Sequence, residues 1–301
     1  MSSSVLCYGE IGVDNLIQVE QIPTPEIAVF PQGDTYHIGG AAANTGVWLA
    51  ALGVPVRIAG NAIGTDLYGD WLWGWLTAHD WLDVSAVERR DGVRTPFTRA
   101  MVTPNGDRHF LIFGYPQAPK TPLTRDLLAG VAYLPLDLYG GEERLAAARL
   151  THEAGVQTVI GDVVWPDHPA LPYSDITINS AAFVRALFPD IAIEAHMQQI
   201  QAQSGGLVIA TDGGQAVRAL TPDGSFIVVQ PPAVEPVDAT GAGDAFRAGL
   251  VDALLQGERL VDALRWAIGC GAFKVQHLGA ATTLPTRAQV AALADAAIVL
   301  S

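Results

Sequence analysis

Short apolar segments alternate with helical segments along most of this 301-residue chain. The apolar segments have the length of buried strands, and the helical ones carry apolar residues three and four positions apart. This alternation predicts a mostly parallel, doubly wound α/β sheet flanked by helices. The strand candidates are residues 5–8, 56–59, 131–134, 158–160, 176–179, 207–211 and 226–229, and the helix candidates are 41–52, 67–82, 142–154, 260–275 and 286–297.

Two stretches interrupt the alternation. Residues 10–38 contain three prolines and short extended pieces where a simple β–α–β unit would have a helix, which predicts edge strands or a lid. Apolar runs at 98–103 and 109–113 flank Pro104-Asn-Gly-Asp107, and Asn-Gly is typical of a hairpin turn because both residues tolerate positive φ. Since no repeat or linker divides the chain, we expect one α/β domain over residues 1–301 with an extended β appendage.

The charge and the cysteine pattern exclude several functions. The formal charge is −14 and no run of Lys or Arg exists, so a nucleic-acid or anionic-membrane partner is not expected. Cys7 and Cys270 are too few for a disulfide framework and lack metal-site spacing, so both are expected to be reduced core residues, and no metal ligands are assigned. With no signal-peptide pattern and no apolar run of eighteen residues, the expectation is a cytoplasmic protein.

The segment 238–249 carries the strongest chemical signal. Gly241, Ala242 and Gly243 precede Asp244, after which apolar residues recur at helical spacing. The small residues therefore lie at a helix N-terminus, where free backbone N–H groups and the helix dipole form an anion site that glycines leave open. A helix cap, with Asp244 in the first turn, is the structural alternative.

Asp244 distinguishes the two interpretations. A carboxylate beside a plain phosphate site would repel the ligand, but it has a purpose if it takes a proton from a hydroxyl that attacks phosphorus. A second glycine-rich helix start, Gly39-Gly40 followed by three alanines and Asn44, supports the catalytic interpretation. Two such helix starts suit an enzyme with two substrates, with Asn44 offering its amide to a hydroxyl.

Together with Asp14 after the first strand, these elements resemble the ribokinase-like (PfkB) family of carbohydrate kinases. The first family signature matches Gly39 to Gly53, and the second, Asp-Thr-Thr-Gly-Ala-Gly-Asp-Ala-Phe or close variants, matches Asp238 to Phe246. Between them, Gly60 to Gly69 resembles a Gly-x-x-Gly-x-Asp-x-x-Gly stretch, and Thr211 to Ala216 resembles the nucleotide loop. The resemblance extends from about residue 5 to residue 282.

The resemblance implies a kinase that transfers phosphate from ATP, with Mg²⁺, to a small sugar or nucleoside. Asp244 matches the catalytic base, and the backbone of Gly241, Ala242, Gly243 and Asp244 matches the anion hole. The positions that bind sugar hydroxyls match Asp14, Gly39, Gly40 and Asn44. The positions that hold the nucleotide match Asn179, Thr211, Gly213 and Thr240.

The resemblance also carries expectations about the lid and about ions. The family's β lid corresponds to residues 11–38 with 93–115, and because many members pair their lids, a homodimer through the lid is expected. Some members also bind a monovalent cation such as K⁺ near the second signature, where Asp238 and Thr240 would be close to it.

The chain departs from the family at two places. The Asn-x-x-Glu pattern reads Asn179-Ser-Ala-Ala182 here, so the Glu that helps to organise Mg²⁺ and phosphates is replaced by Ala. We expect weaker rather than abolished catalysis, since phosphates and water supply most of the Mg²⁺ ligands. Asp162 could hold metal-bound water. The last glycine of the nucleotide loop is Ala216.

Other classes of protein fit less well. The chain has no Gly-Lys-Ser/Thr and no His-Arg-Asp, which argues against P-loop enzymes and protein kinases. The segment Gly9-Glu-Ile-Gly12 does not match a dinucleotide fingerprint. A nucleoside kinase and a non-catalytic sugar or nucleotide sensor on the same fold remain open, the sensor because of Ala182.

Overall fold

The structure, a computed structural model, describes residues 4–104 and 108–300. Strands in chain order are β1 (Val5–Gly9), β2 (Gly12–Gln18), β3 (Gly33–Gly39), β4 (Val56–Gly60), β5 (Ile63–Gly64), β6 (Leu82–Asp83), β7 (Arg89–Arg90), β8 (Phe97–Val102), β9 (Arg108–Phe113), β10 (Tyr133–Leu136), β11 (Gln157–Gly161), β12 (Ile176–Ser180), β13 (Leu207–Asp212), β14 (Gln215–Leu220), β15 (Phe226–Gln230) and β16 (Ile298–Val299). Helices are α1 (Ala41–Ala51), α2 (Leu67–Thr77), α3 (Glu142–Glu153), α4 (Ala181–Leu187), α5 (Ile193–Ser204), α6 (Ala242–Leu255), α7 (Leu260–Val275) and α8 (Arg287–Asp295).

Ten strands form the main sheet, in the order β16-β15-β14-β13-β12-β11-β10-β1-β4-β6. The seven strands from β13 to β6 run parallel, whereas β14, β15 and β16 are antiparallel additions at one edge. The predicted parallel, helix-flanked sheet is therefore confirmed. Parallel strands end at the same edge of the sheet, and it is at this edge that such folds bind ligands.

The central strand β1 explains why the sheet reads as continuous apolar runs. Val5 and Cys7 lie in a core packed by α1, α6 and α7, while Leu6 and Tyr8 lie in a second core with α3 and α5. A strand buried on both faces needs apolar side chains at every position, which is typical of parallel sheets covered by helices. Both cysteines are free and buried.

A separate four-stranded sheet has the order β3-β2-β8-β9. Strand β2 pairs antiparallel with β3 and parallel with β8, which in turn pairs antiparallel with β9. These strands come from the two segments that interrupt the sequence alternation. The predicted turn at Pro104-Asn-Gly-Asp107 lies at 105–107, outside the described residues.

Two local predictions needed correction, and one strand was missed. The helix predicted for 67–82 ends at Thr77, because Trp81 turns back to pack edge-on against Trp75 and Leu82 joins the edge of the main sheet beside β4. The strand predicted at 131–134 occupies Tyr133–Leu136 instead, since Val131 donates its N–H to Leu128 in a preceding turn. Strand β14, which begins inside the predicted nucleotide loop, was not anticipated.

Candidate active site

The second glycine-rich turn leads directly into α6. Gly241 has φ 75°, in the left-handed region that suits glycine, and a Cβ there would lie 2.5 Å from the Ala280 Cβ. The first helical bond of α6 runs from the Ala245 N–H to the Gly241 carbonyl, so the N–H groups of Gly243 and Asp244 precede it. Apart from its chain neighbours and the backbone of its own helix, no atom of the described residues lies within 4 Å of the Cβ position at Gly243. The turn therefore has the open backbone geometry of an anion site.

Asp244 contacts the first glycine-rich helix. Asn44, on the first turn of α1, donates its Nδ2 hydrogen to Asp244 Oδ2 at 3.2 Å. Among the described residues, the Asn44 Oδ1 atom is buried without a hydrogen-bond partner. The structure thus brings together the two glycine-rich helix starts, which are 200 residues apart in sequence.

The surroundings of Asp244 suit a proton acceptor. Burial raises the pKa of its carboxyl to about 6, although the positive charge of Arg247 and the Asn44 hydrogen bond oppose this rise. Arg247 Nη1 lies 4.0 Å from Asp244 Oδ1. A carboxyl with this pKa is deprotonated at neutral pH and is more basic than an exposed aspartate, which favours general-base chemistry.

Sequence reasoning missed Arg247. It is buried on α6, and its guanidinium lies against Gly161, where a Cβ would collide with it. The available signal was a charged residue three positions after Asp244 on the face of α6 that also carries Leu250.

The first glycine-rich element is shaped by backbone contacts. Gly40 has φ 90°, and its α-carbon approaches the Glu10 carbonyl so closely that a Cβ would overlap it. That carbonyl accepts hydrogen bonds from Ala42 N at 3.2 Å and from Ala43 N at 3.4 Å. At Gly39, a Cβ would overlap the Asp14 carboxylate. These glycines therefore allow close packing of β1, β2 and α1 around Asp14.

Asp14 lies on β2, opposite Thr98 on β8 and His37 on β3. Burial raises the pKa of its carboxyl to about 7, the negative charges of Asp244 and Asp238 add to the rise, and a hydrogen bond with Thr98 partly offsets it. Asp14 is therefore close enough to Asp244 for their charges to interact. Of the predicted substrate positions, Asn44 contacts Asp244 and Gly39 packs against Asp14, while Gly40 lies against the Glu10 carbonyl.

Two of the predicted nucleotide positions lie on neighbouring parallel strands. Asn179 is near the end of β12, and Thr211 on β13 donates its Oγ1 hydrogen to the Asn179 carbonyl at 3.4 Å. The Asn179 side chain is buried, and neither amide atom has a partner among the described residues. Gly213 has φ 55° in the turn that follows, with open space around its Cβ position. An unpaired buried amide at this edge suits a polar ligand.

Thr240 has a different environment from the other three nucleotide positions. Its backbone N–H and its Oγ1 both donate to Asp238 Oδ1, at 2.8 and 2.7 Å. The other oxygen of Asp238 accepts from Gly279 N at 2.8 Å. The contacts of Thr240 thus shape the turn before α6.

Two further carboxylates that follow strands lie near Asp244. Asp137, after β10, accepts from Glu10 N at 2.6 Å and from Arg144 Nε at 3.1 Å. Asp162, after β11, has φ 63° and accepts from the Tyr139 hydroxyl at 2.9 Å. Both negative charges contribute to the raised pKa of Asp244. Sequence reasoning missed Asp137, although its position directly after a buried strand was a usable signal.

Metal-binding groups are sparse at this edge. Across residues 4–104 and 108–300, no group of three or more His, Cys, Asp or Glu side chains is arranged to hold a metal ion. Ala182, at the position where the resemblance implies Glu, is exposed at the start of α4. Asp162 supplies the oxygen donors that Mg²⁺ prefers, so an ion brought by nucleotide phosphates fits these residues.

Comparison with known proteins identifies the family. The sequence profile of pfkB family carbohydrate kinases matches residues 2–287, and the chain belongs to this family. It is 27% identical over 327 residues to a probable chloroplastic fructokinase-6 of Arabidopsis thaliana, covering 96% of this chain and 82% of that protein. The chain is therefore a carbohydrate kinase, and its general activity is ATP-dependent sugar phosphorylation.

Solved structures show the same fold. An Arabidopsis thaliana ribokinase complexed with ribose and ATP has a TM-score of 0.82 at 20% identity, covering 98% of this chain and 99% of that one. A Burkholderia thailandensis nucleoside kinase in complex with inosine has a TM-score of 0.74 at 20% identity, covering 97% and 96%. These likenesses confirm the ribokinase-like fold. No helix of the described residues is long and apolar enough to cross a membrane.

Proposed function

We propose that this chain transfers the γ-phosphoryl group of ATP to a hydroxyl of a small sugar, with Asp244 as the base. The observation that carries the proposal is the contact of Asn44 with Asp244 beside the open Gly241–Asp244 turn. A base, a hydroxyl-binding amide and an anion-binding backbone then lie within one small volume, as an in-line transfer requires.

The chemistry follows from these groups. Asp244 accepts the hydroxyl proton as the sugar oxygen forms a bond to the γ-phosphorus, and the bond from phosphorus to the β-phosphate oxygen breaks to release ADP. The backbone N–H groups of Gly243 and Asp244 stabilise negative charge on the transferred phosphoryl oxygens, usually the largest part of catalysis in such sites. Asp162 would hold a water of the Mg²⁺ that accompanies ATP, and this ion would supply positive charge to offset that of the phosphates.

The substrates occupy the two sides of this turn. The sugar is held by Asp14, Gly39, Gly40 and Asn44. The raised pKa of Asp14 reflects the cost of burying its charge, which hydrogen bonds from sugar hydroxyls would reduce. Asn179, Thr211, Gly213 and Thr240 hold the nucleotide. Support comes from the unpaired amide of Asn179 and the open space at Gly213.

The four-stranded sheet acts as the lid of a single domain spanning 1–301. Sugar binding would order it over the site and exclude water, which limits ATP hydrolysis. Its edge strand β9 exposes 46% of Phe110, 51% of Leu111 and 65% of Ile112, an apolar surface that suits pairing with a second lid. Sedimentation equilibrium tests for this homodimer.

Two other functions each have one observation in their favour. A nucleoside acceptor is supported by the likeness to a nucleoside kinase solved with inosine. A non-catalytic sensor is supported by Ala182, which replaces the family's glutamate.

ADP release from ATP and Mg²⁺ across a panel of sugars and nucleosides tests among these functions. Turnover on a sugar that is lost in Asp244→Asn supports the proposal. Turnover only on a nucleoside supports a nucleoside kinase. Binding of ATP or a sugar without turnover on any compound would favour the sensor.

A further inference from the structure

The chain contains only two lysines, Lys120 and Lys274, and the second lies in an unusual position. Lys274, near the end of α7, is 1% exposed. Its Nζ donates to the Asp238 carbonyl at 2.6 Å and to the His277 carbonyl at 3.0 Å, and it lies 3.5 Å from Asp238 Oδ2. The ammonium is thus surrounded by two main-chain carbonyls and a carboxylate.

This set of oxygen atoms is also what a monovalent cation would require. Backbone carbonyls and carboxylates replace the hydration shell of hard cations in proteins. A K⁺ beside Asp238 and Thr240 would have to share these oxygens with the Lys274 ammonium. Because two positive charges repel each other strongly in a buried site, the residues here do not fit an added cation.

We propose that the Lys274 ammonium is a built-in cation that replaces a bound monovalent ion and positions the anion-binding turn. Lys274 joins the segment before α6, through Asp238, to the segment after α7, through His277.

Contacts around Asp238 show how the ammonium acts at a distance. The Asp238 carboxylate is held by the N–H groups of Thr240 and Gly279, so both segments are fixed to it. Gly241, the residue directly after Thr240, packs against Ala280 of the second segment. The Lys274 charge also lowers the pKa of Asp238, against the effect of burial, together with these hydrogen bonds. Lys274 is therefore a positioning residue for the Gly241–Asp244 turn.

The same segment also contacts the lid. The Thr282 Oγ1 lies 3.0 Å from His37 Nδ1 on β3. A cation that fixes residues 275–282 thus holds one end of the contact between the lid and the anion-binding turn.

The test compares salts at equal ionic strength and uses wild type, Lys274→Ala and, as a matched control, Lys120→Ala. Melting temperature and kinase turnover are measured in KCl, NaCl, NH₄Cl and choline chloride. The turnover measurement rests on the proposed function, but the melting temperature does not, so a protein without kinase activity would still test the role of Lys274.

Wild type is expected to have the same melting temperature in all four salts and, within about twofold, the same turnover. Lys120→Ala should show the same indifference to the choice of salt. Lys274→Ala is expected to lose turnover by roughly 10- to 100-fold in choline chloride through misplacement of the turn. Its melting temperature should fall there, and NH₄Cl or KCl should restore both quantities because a cation binds only the folded state.

Two results would overturn the proposal. One is a wild-type protein stimulated by K⁺ well above its turnover in choline chloride. The other is a Lys274→Ala protein that responds to no cation in either measurement. If Lys274→Ala does not fold in any salt, the wild-type comparison decides alone, since stimulation by K⁺ contradicts the proposal and indifference supports it.

Discussion

Asn44 donates a hydrogen bond to Asp244 at 3.2 Å, and this contact joins the starts of α1 and α6. A hydrogen bond to a carboxylate favours its charged form, so Asn44 opposes the effect of burial on Asp244. The same amide has a second, unpaired atom, Oδ1, that remains for a hydroxyl of the substrate. Asn44 therefore links the binding of the substrate hydroxyl to the protonation state of Asp244.

The pH dependence of kcat/KM tests this coupling. Since Asp244 has a pKa of about 6 and acts deprotonated, activity is expected to fall as the pH drops through about 6. Replacing Asn44→Ala removes a hydrogen bond to the charged form, so the acidic limb should move to higher pH. The neighbouring Thr45→Val is the control, since the buried Thr45 hydroxyl has no hydrogen-bond partner among the described residues. An unmoved limb in Asn44→Ala would argue against Asp244 as the titrating base.

Two glycines in the anion-binding turn are expected to respond differently to alanine. Gly241→Ala places a Cβ 2.5 Å from Ala280 at φ 75°, and should lower the free energy of unfolding by roughly 2–4 kcal/mol. Gly243→Ala has open space around the new methyl group, so the free energy of unfolding should change by about 0.5 kcal/mol or less. The methyl group reduces the space for the transferred phosphoryl group, so turnover should fall. Denaturant unfolding and turnover measure both. Full activity in Gly243→Ala would place the phosphoryl group elsewhere.

Asp14 makes stability depend on pH. Its pKa is about 7 when folded and about 4 when unfolded, so the folded chain binds more protons between these values. Its contribution to stability is therefore lost as the pH rises from about 4 to 7, and Asp14→Asn should be more stable than wild type above pH 7 by roughly 1–3 kcal/mol. The two proteins should converge near pH 4.

Asp66 provides the opposite control for this measurement. Burial raises the pKa of Asp66, but hydrogen bonds from Thr95 and Gly69 outweigh this and lower it. Asp66→Asn should therefore be less stable than wild type at neutral pH, with the difference shrinking in acid. An Asp14→Asn protein that behaves like Asp66→Asn would show that Asp14 is stabilising when charged.

Asn179 should matter for ATP and not for folding. Because its buried amide makes no hydrogen bond in the described part of the chain, Asn179→Leu should keep or raise the melting temperature. Its Kd for ATP should rise roughly tenfold if one hydrogen bond to the nucleotide is lost. Thr177→Val is the matched control on the same face of β12, because it loses the bond to Ser174 and should lower stability without changing ATP binding. An unchanged Kd in Asn179→Leu would remove Asn179 from the nucleotide site.

Sequence patterns predicted the parallel sheet and the two helix starts because both depend on the order of residues within short segments. Apolar runs and helical spacing report burial at each position, and glycine next to a helix start reports an open backbone. Asn44 and Asp244 could be selected because each is a polar residue at the start of a helix, whereas Asp14, which lies within β2, was selected through the family resemblance.

The missed features depend on contacts that a local pattern does not specify. The burial of Lys274 follows from the positions of Asp238 and His277, which no local pattern specifies. Strand β14, which pairs antiparallel with the preceding β13, was missed because its short segment mixes apolar residues with the exposed Gln215 and the half-buried Arg218. Pairing of this kind is set by side-chain packing across the sheet rather than by intrinsic preference.

The most direct test of the central claim compares wild type with Asp244→Asn on a sugar that the wild type phosphorylates. Both proteins should bind ATP and the sugar with similar Kd values by calorimetry, because the amide keeps the shape of the carboxylate. Formation of the sugar phosphate, followed by mass spectrometry, should fall by roughly 10²- to 10⁴-fold in the variant, which is the usual contribution of a general base. Sugar phosphate formed by Asp244→Asn at a rate within tenfold of wild type would contradict the assignment of Asp244 as the base.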